Sequence, residues 1–219
     1  MEKATKELGT KIPEDKVIVA PIGANLDQIP LTLKGRPSAP PLKLLWVGMD
    51  WSRKGGDDCL AVLDGLLAAG VEAELHVVGC APPRHHPRMI SHGVFRKDVP
   101  EEQARLVKLY EESHLFLFPT RADMSPCVMA AAAAAGLPSM ATITGGVKEP
   151  FEDGGAVFLD PNRFAAEAVP AILEMVRNGR LKEMGRRARH RFETYLNWDT
   201  IAARIVEELE QHLSGEVDA

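Results

Sequence analysis

Cysteine is scarce in this sequence. Its three residues, Cys59, Cys80 and Cys127, make an odd count with no zinc-ligand spacing. That argues against a disulfide framework and for a reducing compartment. An excess of positive charge is also missing: 26 Lys and Arg stand against 31 Asp and Glu, a net charge of -5. A broad nucleic-acid surface needs clustered cations, so nucleic acid is not an expected partner. No uninterrupted apolar run approaches the length of a bilayer span, so no transmembrane segment is expected. The stretch from Met1 to Glu7 lacks the apolar core of a secretory signal, and a cytoplasmic location is the expectation. No solenoid-type repeat is visible. Hydrophobic residues make up 45% and charged residues 26% of the 219-residue chain. That composition suits a globular protein of one large domain, or one domain plus a fragment.

The first punctuation is the stretch from Leu31 to Pro41, with three prolines, one glycine and few large apolar groups. It reads as a linker. Lys16 to Pro21 before it reads as a strand, in a piece too short to enclose its own core. Beyond the linker, strand and helix patterns alternate. Apolar runs at 43–47, 73–78, 115–118, 139–142 and 156–159 predict strands, with a short further one at Val94 and Phe95. Helical spacing covers 57–69, 101–112, 129–135, 164–177, 180–195 and 199–213. This alternation predicts an α/β fold: a doubly wound, mainly parallel sheet with helices on both faces, closed by C-terminal helices. Ligands of such sheets bind beyond the carboxyl ends of the strands. The loops after Val47, Val78, Phe118 and Thr142 therefore carry the chemistry.

Three of these loops suit an anion. After Phe118, Ser125 is a favoured N-cap and Pro126 fits the first helical position. The six alanines from Ala130 to Ala135 strongly favour helix, and Gly136 with Pro138 ends it. Unpaired N–H groups and the dipole at that helix start favour a phosphate. After Val47, Arg53 and Lys54 stand beside Gly55 and Gly56, offering a planar fork and a point charge. The GK[ST] ending of a Walker loop is missing. After Thr142, Gly145 and Gly146 let backbone amides approach a ligand.

In order and spacing this set resembles the C-terminal, donor-binding half of a GT-B-fold retaining glycosyltransferase of the family-four type. The resemblance rests on Leu45-Trp46-Val47-Gly48 with Arg53-Lys54-Gly55, on His76-Val77-Val78-Gly79, and on Leu117 to Asp123. It continues through Gly136-Leu137-Pro138, Thr144-Gly145-Gly146-Val147 with Glu149, and Leu196-Asn197-Trp198. It implies a Rossmann-like nucleotide-sugar-binding domain over 42–198, after a remnant of a GT-B N-terminal domain at 1–31 and a linker at 32–41. A crossover helix and tail follow at 199–219.

The resemblance further implies site roles. Arg53 and Lys54 hold the diphosphate of the donor, and Gly48 and Gly79 are further donor-binding positions. Asp123 takes the first acidic place of the family's Glu-seven-residues-Glu motif, near the sugar and the reacting centre, as the catalytic candidate. Ser125, Cys127 and Val128 offer backbone amides to phosphate. Gly145, Gly146 and Val147 line the sugar or diphosphate, and Val94, Phe95 and Arg96 flank the nucleobase. A nucleotide-diphosphate sugar is the expected substrate, with no metal and no other cofactor. A separate acceptor-domain chain is a further possible partner.

Departures from the pattern are as informative. Ala131 stands where the family has its second glutamate, which binds ribose hydroxyls. A lost charged acceptor costs about 1.5–3 kcal/mol. Asp123 is one methylene shorter than glutamate, and Pro126 has no N–H to give a phosphate. These features point to weak or absent autonomous catalysis. A non-catalytic relic or regulatory nucleotide-binding module is the alternative reading, and an unrelated nucleotide-binding protein on a similar sheet is a third. His85 and His86, in a proline-rich loop with Cys80, lack the further ligands a zinc site needs. Trp198 is expected to anchor the last helix in the core.

Overall fold

Apolar strands covered on both faces pair side by side at the centre of the sheet, with less buried strands at its edges. The computed structural model describes residues 17, 19–26, 29–30, 35–36, 39–96, 98–152 and 155–215. The strands are β1 (Leu42–Val47), β2 (Ala73–Val78), β3 (Met89–Ser91), β4 (Leu115–Phe118), β5 (Ser139–Thr142) and β6 (Ala156–Leu159). They form one parallel sheet in the order β3-β2-β1-β4-β5-β6. The order reverses between β1 and β4, where the crevice of a doubly wound sheet opens. The helices are α1 (Gly56–Ala68), α2 (Pro100–Glu112), α3 (Cys127–Ala134), α4 (Phe164–Arg177), α5 (Arg180–Arg191) and α6 (Trp198–Gly215).

Strand alternation divides the core into two layers. Leu44, Trp46, Leu75, Val77, Leu115 and Leu117 meet α1 and α4 through Leu63, Leu66, Phe164 and Ile172. Leu45, Val78, Phe116 and Phe118 meet α2 and α3 through Tyr110 and the alanine run. Helix α3 is buried from Met129 to Ala134 and lies under α5, where Gly185 sits against the Gly136 carbonyl. Arg36 ties the C-terminal ends of α2 and α3 together, donating to the carbonyls of Tyr110, Glu111, Ser113 and Ala135. Burial pulls its pKa from 12.5 down to about 10, opposed by nearby Glu111.

Several expectations change. The short strand expected at Val94 and Phe95 lies instead at Met89–Ser91, beside β2. Phe95 belongs to the core under α2, not to the sheet. The strand expected at Lys16 to Pro21 falls partly outside the described residues, and its described part carries no strand. Residues 1–16, residues 31–34 and 37–38 of the expected linker, and 216–219 also lie outside the described residues. The helix expected over 180–195 ends at Arg191 and passes into a π-turn at Phe192–Leu196. Trp198 is not a core anchor: it is 52% exposed, and its Nε1 donates to the Ala24 carbonyl at 2.9 Å. It pins the segment before the sheet rather than α6.

Candidate functional site

The β1–α1 and β4–α3 loops meet at the carboxyl edge of the sheet, beside the switch point. Gly55 has φ 71°, a left-handed geometry that glycine adopts at little cost. A Cβ there would overlap the Pro119 carbonyl, so glycine also permits the loops to touch. The Arg121 N–H donates to the Arg53 carbonyl at 2.7 Å. Thr120 Oγ1 donates to the Ala122 carbonyl at 3.1 Å, while Thr142 Oγ1 at the end of β5 donates to the Thr120 carbonyl at 2.6 Å.

Within this frame the two adjacent cations are both held. Lys54 Nζ forms an ion pair with Asp123 Oδ2, each side chain only 13% exposed, and lies 4.9 Å from the centre of the Phe118 ring. Arg53 donates to the Ala122 carbonyl at 2.9 Å, and its Nε lies 3.5 Å from Asp50 Oδ2. Asp50 also accepts from the Arg53 N–H at 3.0 Å. Arg121 pairs with Asp58 at 2.5 Å, whose carboxyl is raised above its ordinary range chiefly by burial.

Asp123 joins three loops. Its Oδ1 accepts from the Ser125 N–H at 3.2 Å, and its carbonyl accepts from Gly146 N–H at 3.2 Å. Gly145, at φ 55°, and Gly146 pack so closely that a Cβ on either would overlap the carbonyl of Asp123 or Met124. Val147, at the end of this loop, is fully buried. The structure thus brings Arg53, Lys54, Asp123, Ser125, Gly145 and Gly146 together on one rim.

The helix start differs from expectation. Helix α3 begins at Cys127 with Pro126 as its N-cap, and Ser125 makes no capping bond. Ser125 Oγ instead accepts from the Ile22 N–H at 3.1 Å, so the segment before the sheet competes for it. The Ser125 N–H is committed to Asp123, and the Cys127 N–H donates to the Ser125 carbonyl at 3.0 Å. Of the expected amide cradle, only the Val128 N–H is without a partner among the described residues, and the Gly145 N–H joins it. One donor in the first turn of α3 and one on the facing loop replace a run of donors on one helix.

The β2 and β3 loops form the remaining part of the edge. The Gly48 N–H donates to the Val78 carbonyl and the Gly79 N–H to the Gly93 carbonyl, which joins the loops after β1, β2 and β3 along one edge. Val94 is exposed. Phe95 is partly buried, with the Arg105 guanidinium 4.9 Å from its ring centre. Arg96 pairs with Asp98 at 2.7 Å, and its N–H donates to Glu102. Beneath this loop His76 Nδ1 and His92 Nε2 lie 3.0 Å apart. Burial lowers the pKa of both imidazoles, assisted at His76 by His92 and Lys43 and at His92 by Arg105. Glu74, 3.7 Å from His76 Nε2, opposes the shift.

Asp50, Thr120 and Thr142 organise the rim but were not singled out as site residues from the sequence. A signal existed for Asp50: an Asp three residues before a loop N–H reads as a side-chain-to-backbone turn. Ala131, in the place of the family's second glutamate, is 4% exposed within the apolar layer. Among the described residues no three His, Cys, Asp or Glu side chains form a metal-holding group. No helix there is long and apolar enough to cross a membrane.

Residues 41–178, more than half of the chain, match the family described as glycosyl transferases group 1. No curated protein matches by sequence. Solved structures with similar folds include sucrose-phosphate synthase from Thermosynechococcus elongatus, at 19% identity and TM-score 0.70 over 98% of this chain and 56% of that one. WaaG, a glycosyltransferase involved in lipopolysaccharide biosynthesis, matches at 20% identity and TM-score 0.70, over 92% of this chain and 59% of its own. The pneumococcal O-GlcNAc transferase GtfA, in complex with UDP and GlcNAc, matches at 15% identity and TM-score 0.69, over 95% and 43%. The chain spans about half the length of these proteins.

Proposed function

Because the chain belongs to the group 1 glycosyl transferases and folds as their Rossmann-like GT-B C-terminal domain, we propose that it is the donor side of a retaining sugar transfer. In this reading it binds a nucleotide-diphosphate sugar, and the acceptor hydroxyl is presented by a further domain. The observation that carries the reading is the Lys54–Asp123 pair, which joins the two switch-point loops and hands on to the Ser125 amide. Lys54 and Arg53 face the diphosphate and stabilise the charge that develops as it leaves. Fixed in advance by Asp123, Asp50 and the Ala122 carbonyl, these cations pay little ordering entropy on binding. The Val128 and Gly145 N–H groups supply hydrogen bonds to phosphate oxygens. Asp123 stands nearest the sugar, and Phe95 with Val94 flanks the base. Retention is what the resemblance implies.

A second reading, a nucleotide-binding module without turnover, is favoured by one feature. Ala131 puts a methyl group where the family places its ribose-binding carboxylate. Titration calorimetry with UDP-, GDP- and ADP-sugars tests both. One donor is expected to bind, more weakly at high salt, and Arg53→Ala with Lys54→Ala is expected to weaken it by about tenfold or more. An unchanged Kd in that double variant removes the basic pair from the site. Donor hydrolysis or transfer by the chain favours the first reading, and tight binding without turnover the second.

A further inference from the structure

The amino edge of the sheet, remote from the rim just described, has its own cavity. It has a volume of about 700 Å³ and lies between the start of β1, the end of α3 and the α4–α5 turn. Leu42, Met175, Val176 and Leu181 give it apolar walls, and Lys182 and Arg186 stand at its mouth. Both cations are exposed. Lys182 has no ion-pair partner among the described residues, and Arg186 shares Glu183 with Arg187. Such a volume lies within the range of small-molecule pockets, which are mostly apolar with a few placed polar groups.

A second observation comes from charge distribution. Residues 177–191 hold seven Lys or Arg and one Glu, in a chain whose acids outnumber its bases by 31 to 26. Lys182, Arg186 and His190 follow at intervals of four, so α5 presents them on one side. Arg177, Arg180, Arg187 and His190 are exposed as well. The molecule is therefore bipolar, with one cationic face on an acidic body. A long polyanion that wraps its partner would meet that acidic body. A flat anionic surface meets one face only.

We propose that this cavity and the cationic face of α5 bind an anionic membrane lipid. One acyl chain enters between Val176, Leu181 and Leu42. The lipid phosphate pairs with Lys182 and Arg186, and the exposed Arg180 and Arg187 face neighbouring head groups, while Arg189 and Arg191 are held by carbonyls within the protein. Each buried methylene and each cation near the surface then adds to the attachment. The site lies at the opposite edge of the sheet from the donor rim, so the proposal stands whether or not the donor reading holds.

Flotation of the full chain with vesicles tests the surface, and calorimetry with dodecyl phosphate tests the cavity. Vesicles of phosphatidylcholine with phosphatidylglycerol are expected to carry the protein at low salt, and pure phosphatidylcholine vesicles are not. The Lys182→Ala/Arg186→Ala variant is expected to lose about twenty-five-fold in partition, at roughly a factor of five per cation. Dodecyl phosphate is expected to bind saturably where inorganic phosphate does not. Val176→Trp, which fills the mouth without changing charge, is expected to abolish that binding while far-UV circular dichroism stays unchanged. Equal partition to neutral vesicles, or none to anionic ones, overturns the proposal. So does duplex DNA bound more tightly than anionic vesicles, or dodecyl phosphate binding indifferent to Val176→Trp.

Discussion

The carboxyl edge of the sheet is built in two ways. Around β1 and β4 the loops are fastened by residues far apart in the chain: Lys54 to Asp123, Arg121 to Arg53, Gly146 to Asp123. Around β3 the loop is fastened mainly by its own neighbours, Arg96 to Asp98 and Glu102, at exposed positions. Only Phe95 reaches the core. The first region is fixed by the fold as a whole, and its cations are in place before any ligand arrives. The second leans more on local sequence, with Gly79 to Gly93 and His76 to His92 as its longer-range ties. In the donor reading proposed above, the cross-linked loops would meet the diphosphate and the β3 loop the base.

The contrast can be broken most severely at Gly55. Gly55→Val combines a left-handed backbone with overlap of the Pro119 carbonyl, and should cost roughly 3–4 kcal/mol in urea denaturation. Next in size is the Lys54–Asp123 pair. Lys54→Ala leaves a largely covered carboxylate without its cation, and a loss of about 2 kcal/mol is expected. A double-mutant cycle over Lys54 and Asp123 should show clear coupling, whereas the same cycle over Arg96 and Asp98 should show none. Gly93→Ala sharpens the comparison from the other side. Gly93 also has a positive φ, 70°, but nothing lies within 4 Å of its missing Cβ, so only the backbone cost of about 1 kcal/mol should appear.

The smallest effect expected is with pH. His76 and His92 have folded pKa values below the ordinary 6.5, so the unfolded chain binds protons more readily than the folded one. Their contribution is intact above the unfolded value and is lost as pH falls below it toward the folded values. Denaturation midpoints should therefore decline as pH drops below about 6.5. His92→Gln should flatten that decline, with Glu74, Lys43 and Arg105 unchanged around the pair. A slope indifferent to the substitution would assign the pH response elsewhere.

Long apolar runs made five of the six strands legible, because a doubly covered strand must be apolar throughout. The sixth, Met89-Ile90-Ser91, is a short edge strand with no such requirement, and the apolar pair Val94-Phe95 nearby gives an equal local signal. Arg53, Lys54 and Asp123 could be chosen from motif order and loop position. Their mutual engagement could not, since it depends on how closely Gly55 lets two loops approach. Ser125 shows the same limit. Its local setting favours capping α3, but a distant N–H, that of Ile22, takes the hydroxyl. Local chemistry names the candidates, and tertiary competition decides their partners.

The alanine run of α3 has one last implication. A layer made of methyl groups, with Gly185 against its far end, contains no side chain that can swing aside. Extra bulk there has to be absorbed by main chain, so this helix sets the gauge between the sheet and α5. It makes the middle of the molecule, like the glycine contacts at the carboxyl rim, a place with no slack for an added side chain.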